Sequence, residues 1–416
     1  MPLQIPPALH HRSFRLLWIG QAISVAGSQM QIWALLWHVR LLTEQPIALG
    51  GIGLARILPV IAFSLVGGAV ADSANRRRVI LVTQSLMAFV ALVLAWLTYT
   101  GEITLWQIYL LTAIQAMALA FDLPARQALI PNLVPPEDLP NAFSMQSIAL
   151  QVGSIVGPAL SGLVIAYWGQ YYTYLIDSIS FLAVIGALLL IGQIPQHTRG
   201  SGRIQVKFED VVEGVRFILR QPVVLSSMLL DFFATFFSSA NTLMPIFVRD
   251  VLHLGAVEYG WMSAAQSIGA MGAAAFISQL REIHRQGKIL LLSVVAFGVA
   301  TIFFGFARSF YGVMVALILI GASDSVSMII RNTIRQLQTP DYIRGRMTSI
   351  NQIFFIGGPQ LGEVEAGLVA QLFGAPIAVI TGGIGCLLAV GWIARRWPQL
   401  RYYNGDEPVQ AGAIAD

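Results

Sequence analysis

Residues 47–99 read IALGGIGLARILPVIAFSLVGGAVADSANRRRVILVTQSLMAFVALVLAWLTY, two apolar runs (47–71 and 79–99) on either side of a short loop ending in Arg76, Arg77 and Arg78. Crossing the hydrocarbon of a bilayer takes about 20 predominantly apolar residues. Backbone at that depth has to be helical or in a closed barrel. Both runs are continuous and lack the alternation of short barrel strands, so each reads as a membrane-spanning helix.

The same pattern extends over the chain. Further spans are expected at 14–39, 104–122, 141–168, 171–192, 222–248, 257–280, 289–307, 310–334, 346–372 and 376–395, twelve in all. Composition agrees: of 416 residues, 56% are hydrophobic and 11% charged, against about 45–50% and 25% in soluble domains. A water-facing surface cannot be made from so few charges, which excludes a soluble enzyme, a disordered chain and a coiled coil. One cysteine, Cys386, excludes a disulfide framework and a cysteine-based metal site. The first span is too long for a signal peptide and has no small-x-small cleavage site.

Charge sets the orientation. With the N-terminus inside, every Lys and Arg except Arg40, Arg56, Arg249 and Arg308 falls on the cytoplasmic side. That is the positive-inside bias, and it places both termini in the cytoplasm. Net charge is +4; the loops account for it, and no nucleic-acid partner is expected.

The longest polar stretch, 193–221, divides the spans into six and six. The expected organisation is a bundle at 1–192, a linker at 193–221, a second bundle at 222–396 and a tail at 397–416. The linker opens on Gly200-Ser201-Gly202. Phe208, Val211, Val212, Val215, Phe217 and Leu219 then alternate with Glu209, Asp210, Glu213, Arg216 and Arg220, as in an interfacial helix. The halves echo each other: Arg126-Gln127 and Pro131 match Arg335-Gln336 and Pro340, and Gly157-Pro158 matches Gly358-Pro359. Parallel six-span repeats are a known transporter architecture.

The loop from Gly67 and Gly68 through Asp72 to Arg76 and Arg77 resembles the signature loop of the major facilitator superfamily, with Ser73 where that family usually has arginine. Gly153, Gly157, Pro158 and Gly162 of the fifth span resemble the motif of its antiporter-type exporters. The run from Pro124 to Ala142, with Arg335–Pro340 and Gly345-Arg346-Met347, is similar to the branch holding the enterobactin exporter and the macrolide efflux proteins. The resemblance covers about Phe14 to Arg396. It implies an all-α membrane fold of two pseudo-symmetric six-helix bundles and proton-coupled export of a drug or siderophore-like molecule. It further implies a cytoplasmic gate of Gly68, Asp72, Arg76, Arg77, Asp122 and Arg126, and no cofactor beyond the proton gradient. The partners expected are a small-molecule substrate and the lipid bilayer, with the protein a monomer in the inner membrane. A lysophospholipid flippase or a solute importer of the same fold is the alternative.

Ionisable groups inside the membrane cost roughly 2.5–3.5 kcal/mol each on insertion scales and mark functional candidates. Asp231 belongs to a polar stripe, Ser227, Asp231, Thr235, Ser238 and Thr242, on an otherwise apolar seventh span; such a stripe faces a cavity or other protein, which makes Thr235 and Ser238 candidates for a substrate cavity. Asp324, Ser327, Arg331 and Arg335 share a face of the tenth. Glu363 lies one turn beyond Gly358-Pro359, with Glu365 nearby; Asp177 lies in the sixth span, and Arg56 in the second is the base nearest mid-membrane. A carboxylate removed from water tends to hold a proton, which suits Asp231, Asp324 and Glu363 to proton coupling. Pairing with a base for packing is the competing account. The first half is poorer in acids, with Gly27-Ser28 in its first span. There Gln21, Ser24, Ser28 and Gln31 form a stripe suited either to hydrogen-bonding a substrate or to packing between helices.

No Gly-x4-Gly-Lys-Ser/Thr loop occurs, so ATP hydrolysis is unsupported. The adjacent His10-His11 is not a metal-spaced pair, and no nucleophile–base arrangement stands out. A membrane receptor or intramembrane enzyme is therefore the remote reading.

Overall fold

The computed structural model describes residues 6–194, 208–280 and 283–405. The linker's Gly200-Ser201-Gly202 and Glu282 lie outside the described residues, and so does the side chain of Asp72.

Twelve long helices appear among the described residues. Six precede the linker: Arg12–Leu42, Ile47–Ser73, Arg76–Thr100, Leu105–Leu129, Leu139–Trp168 and Gln170–Ile191. Six follow it: Pro222–Phe237, Ala256–Ile277, Gln286–Phe306, Phe310–Leu337, Asp341–Phe373 and Ala375–Arg396. Nine are long and apolar enough to cross a membrane. The other three, first, eighth and eleventh, are long but carry the polar stripe of Gln and Ser, the many Ala and Gly residues, and the Gly-Pro and Glu positions respectively. The chain is an all-α multi-pass membrane protein.

Local chemistry sets the helix ends. Asn75 caps the third helix, its side chain accepting from the Arg78 amide at 3.2 Å. Thr104 and Gln107 form a capping box at the start of the fourth. Gly101 takes φ +73°, a left-handed cap that side chains other than glycine adopt at a cost.

The seventh span departs from the single helix 222–248 expected above. Its α-helix stops at Phe237, a 3-10 turn covers Ala240–Leu243, and a π-helical turn covers Phe247–Val251. Pro245 has no N–H to donate to the preceding turn. Ser239 turns its hydroxyl to the carbonyls of Thr235 (2.7 Å) and Pro359 (2.9 Å), the latter on the eleventh span.

The chain forms two compact units. The first comprises Met1–Glu44, Ala55–Ile204 and Leu254–Ala264; the second comprises Gln45–Leu54, Gln205–His253 and Ala265–Asp416. In the first unit the first span packs on the fifth and sixth, and the third on the fourth and sixth. In the second unit the seventh packs on the eleventh and twelfth, and the ninth on the tenth and twelfth. Each pairing in one unit thus has its counterpart six spans later.

The start of the eighth helix belongs to the first unit. Tyr259, fully buried, donates to the Trp33 carbonyl at 2.9 Å and packs its ring against Trp37. The start of the second helix belongs to the second unit, where Gly50 and Gly53 lie against Gln360, Glu363 and Val364. The linker helix Phe208–Arg220 buries Phe217 and Ile218 against Val224, Met228, Ile343 and Met347, while Leu219 is exposed. Part of its apolar face is therefore covered by protein.

Candidate functional site: a buried charge cluster and two glycine faces

In the second unit the seventh and tenth spans bring their polar faces together. Arg331 Nη1 lies 2.7 Å from Asp231 Oδ1, with both side chains 3% exposed. Its Nη2 lies 3.7 Å from Asp324 Oδ1, and that carboxylate is 39% exposed. One guanidinium thus stands between a sealed acid and an open one. Asp231 Oδ2, Arg331 Nε and Ser327 Oγ have no hydrogen-bond partner among the described residues. Arg335 is held by Asn332, by Asn351 of the eleventh span and by the Arg331 carbonyl.

Two of the three coupling candidates, Asp231 and Asp324, therefore share one arginine, which the sequence reading placed on the face but not at the centre. The spacing of seven residues between Asp324 and Arg331 carried that signal. Glu363 belongs to another contact: its carboxylate lies against Gly53 of the second helix, where an added Cβ would stand 2.9 Å from Oε2. Thr235 spends its hydroxyl on the Asp231 carbonyl at 2.8 Å, and Ser238 caps the broken helix. Phe232 and Phe236 stack one turn apart on the same helix.

In the first unit the polar stripe of the first span faces other helices. Gln21 accepts from Gln146 Nε2 at 3.1 Å, Ser24 is buried, and Gln31 donates to Gln115 of the fourth span. Ser28 donates to Asp177 Oδ1 at 3.3 Å.

The proposed gate residues separate into a packed set and a loose one. Asp122 is fully buried; it pairs with Arg126 and accepts from Thr83 (2.8 Å) and Gln84 (3.0 Å) of the third span. Arg76 donates to the Ala71 carbonyl and Arg77 to the Leu188 carbonyl, both near 3.0 Å. An added Cβ on Gly68 would meet nothing within 4 Å. The tight approach lies at Gly67, against the backbone of Ala120 and Phe121.

The glycine–proline motifs sit on equivalent faces. Gly153 and Gly157 lie against Val25, Ala26 and Met30 of the first span, and Ser161 donates to the Met30 carbonyl at 3.0 Å. Gly358 lies against Thr235 and Phe232 of the seventh span, and the Pro359 carbonyl accepts from Ser239. Gly162 meets Gly260 of the eighth helix nearly backbone to backbone, its added Cβ 2.6 Å from Gly260 Cα. Pro158 and Pro359 each lie inside an unbroken helix.

Known proteins resemble this chain over nearly its whole length. The enterobactin exporter EntS of Shigella boydii is 25% identical over 381 residues, 91% of this chain and 90% of that protein. EntS of Escherichia coli K12 is 24% identical over 401 residues, 96% and 95% of the two chains. Among solved structures, a bacterial homologue of the lysosomal transporter Spinster, inward-facing and unoccupied, superposes with a TM-score of 0.73 at 12% identity, covering 96% of this chain and all of that one. A bacterial homologue of the iron transporter ferroportin gives 0.68 at 16% identity, covering 94% and 99%. These likenesses show the major facilitator fold. With a family model described as transmembrane secretion effector matching residues 5–407, the chain belongs to that family, as a transporter of small molecules across a lipid bilayer and not an enzyme.

Proposed function

We propose that this protein exports a small amphipathic, siderophore-like molecule across the cytoplasmic membrane in exchange for protons. The observation that carries the reading is the single arginine, Arg331, shared unequally by buried Asp231 and partly exposed Asp324. One guanidinium cannot neutralise two carboxylates. The cluster is one positive charge short, so a proton entering it, or a polar group of the substrate, changes how Arg331 is divided between the two acids. The halves 1–192 and 222–396 would alternate access to it, with both termini in the cytoplasm and the protein working as a monomer. Near-full-length similarity to proteins named enterobactin exporters supports the siderophore-like cargo.

The test is transport in proteoliposomes and inverted vesicles under an imposed pH gradient, with siderophores, macrolides and lysophospholipids as probes. A siderophore should move and draw protons the opposite way. Asp231→Asn should abolish that proton movement while the protein still inserts. Substrate flux with unchanged proton movement in Asp231→Asn would remove Asp231 from coupling. A response to lysophospholipid alone would replace export of a soluble cargo by lipid flipping.

A further inference from the structure

Asp177 of the sixth span has no role in the cluster around Arg331. Its side chain is fully buried. Oδ1 accepts from Ser28 Oγ of the first span at 3.3 Å; Ser180 Oγ of its own helix lies at the same distance while also donating to the Asp177 backbone carbonyl at 2.7 Å, and Gln115 of the fourth span faces it. Oδ2 has no hydrogen-bond partner among the described residues. Gly27 makes the room: an added Cβ there would stand 3.0 Å from Asp177 Oδ1.

Among the described residues no hydrogen bond or ion pair joins Asp177 to a cation. The sixth span packs on the first, third and fifth. From the first, Ser28 and Gln31 face the site, and His38 is engaged by Tyr174 at 3.0 Å, one turn away. The third has no ionisable residue between Arg78 and Tyr99, and the fifth has none except Tyr167. Arg77 is bound to the Leu188 carbonyl, about three turns along. A buried carboxylate held only by neutral donors is strongly disfavoured, and the ordinary remedy is to take a proton. The arrangement differs from Asp231, where a guanidinium supplies the counter-charge.

We propose that Asp177, cradled by Ser28, Ser180 and Gln115, is a proton-exchanging site of the first half, separate from the Arg331 cluster. The carboxylate takes a proton on its unpartnered oxygen when sealed and returns it to water when the helices part. What that proton does in transport rests on the export reading above; its binding does not, and is measured without substrate.

The experiment is infrared spectroscopy of the full-length protein in lipid, scanned over pH. A carboxylic-acid C=O band should be present in the wild type, be lost at high pH, and be missing in Asp177→Asn. Ser28→Ala should move the same band to higher wavenumber, because the acid loses a hydrogen bond, and Ser180→Ala should move it less, because that hydroxyl is shared with the Asp177 carbonyl; they serve as the readout if Asp177→Asn fails to fold. A band insensitive to all three substitutions would overturn the assignment. So would one lost in Asp177→Asn that does not titrate while the protein stays folded, which would leave a purely structural acid. A titration that shifts when sodium replaces potassium would make the ligand a metal ion and overturn the proposal equally. Transport failing in the proteoliposome assay while this band titrates would sink the export reading alone.

Discussion

At the scale of a residue, Arg331 and Asp231 form a buried charge pair whose first consequence is for stability. Their side chains are 3% exposed and 2.7 Å apart. Removing one partner of such a pair strands the other charge, at about 3–5 kcal/mol, whereas replacing both with apolar groups is often neutral. Arg331→Met alone should therefore lower thermal stability markedly. Asp231→Leu combined with Arg331→Met should recover most of that loss, read by thermal unfolding of the purified protein. Arg331→Met melting like the wild type would show that the pair is not sealed from water. The polar faces of both helices were legible from periodicity alone, since Ser227, Asp231 and Thr235 recur at helical spacing. Which acid meets which base was not, because that depends on the rotation of two helices about their axes. Asp177 was harder still: its partners come from three helices, and no pattern along one segment links Ser28, Gln115 and Ser180.

At the scale of an element, small residues decide where helices touch, and the contact has single-residue resolution. Gly67 and Gly68 are adjacent, yet an added Cβ meets backbone of Ala120 and Phe121 at the first and open space at the second. Backbone cannot swing aside as a flexible side chain can, and overpacking of this kind costs about 1–3 kcal/mol. Gly67→Ala should therefore destabilise by that order, while Gly68→Ala, whose added Cβ enters open space, should stay within about 0.5 kcal/mol. Comparing the two melting curves checks it, and equal destabilisation would refute the close approach at Gly67. The motif in the sequence marked both glycines without distinguishing them. The break in the seventh span after Phe237 was hidden by hydropathy, because the apolar run continues past Ser238-Ser239 to Val248.

The whole molecule is organised by repetition. First-on-fifth and first-on-sixth packing recurs as seventh-on-eleventh and seventh-on-twelfth, and a serine bridges each glycine–proline helix to its neighbour: Ser161 to Met30, Ser239 to Pro359. The Gly-Pro echo in the sequence indicated this repeat. The assignment of residues 45–54 and 254–264 to opposite units had no such signal, because those helix starts look like any small-residue helix. Two six-span repeats related by an axis along the membrane normal have parallel topology, so both begin and end on the same face. The arginine clusters should then share that face, as the positive-inside rule requires. Single cysteines test this once buried Cys386 is replaced. His10→Cys and Tyr402→Cys lie at exposed positions near the two ends of the chain, and Glu102→Cys is exposed between the third and fourth spans. A membrane-impermeant maleimide applied to intact cells should label Glu102→Cys and spare the other two until the membrane is opened. Labelling of only one of His10→Cys and Tyr402→Cys in intact cells would require an odd number of crossings and would remove the parallel repeat, whereas labelling of both would mean an inverted chain and overturn the positive-inside assignment.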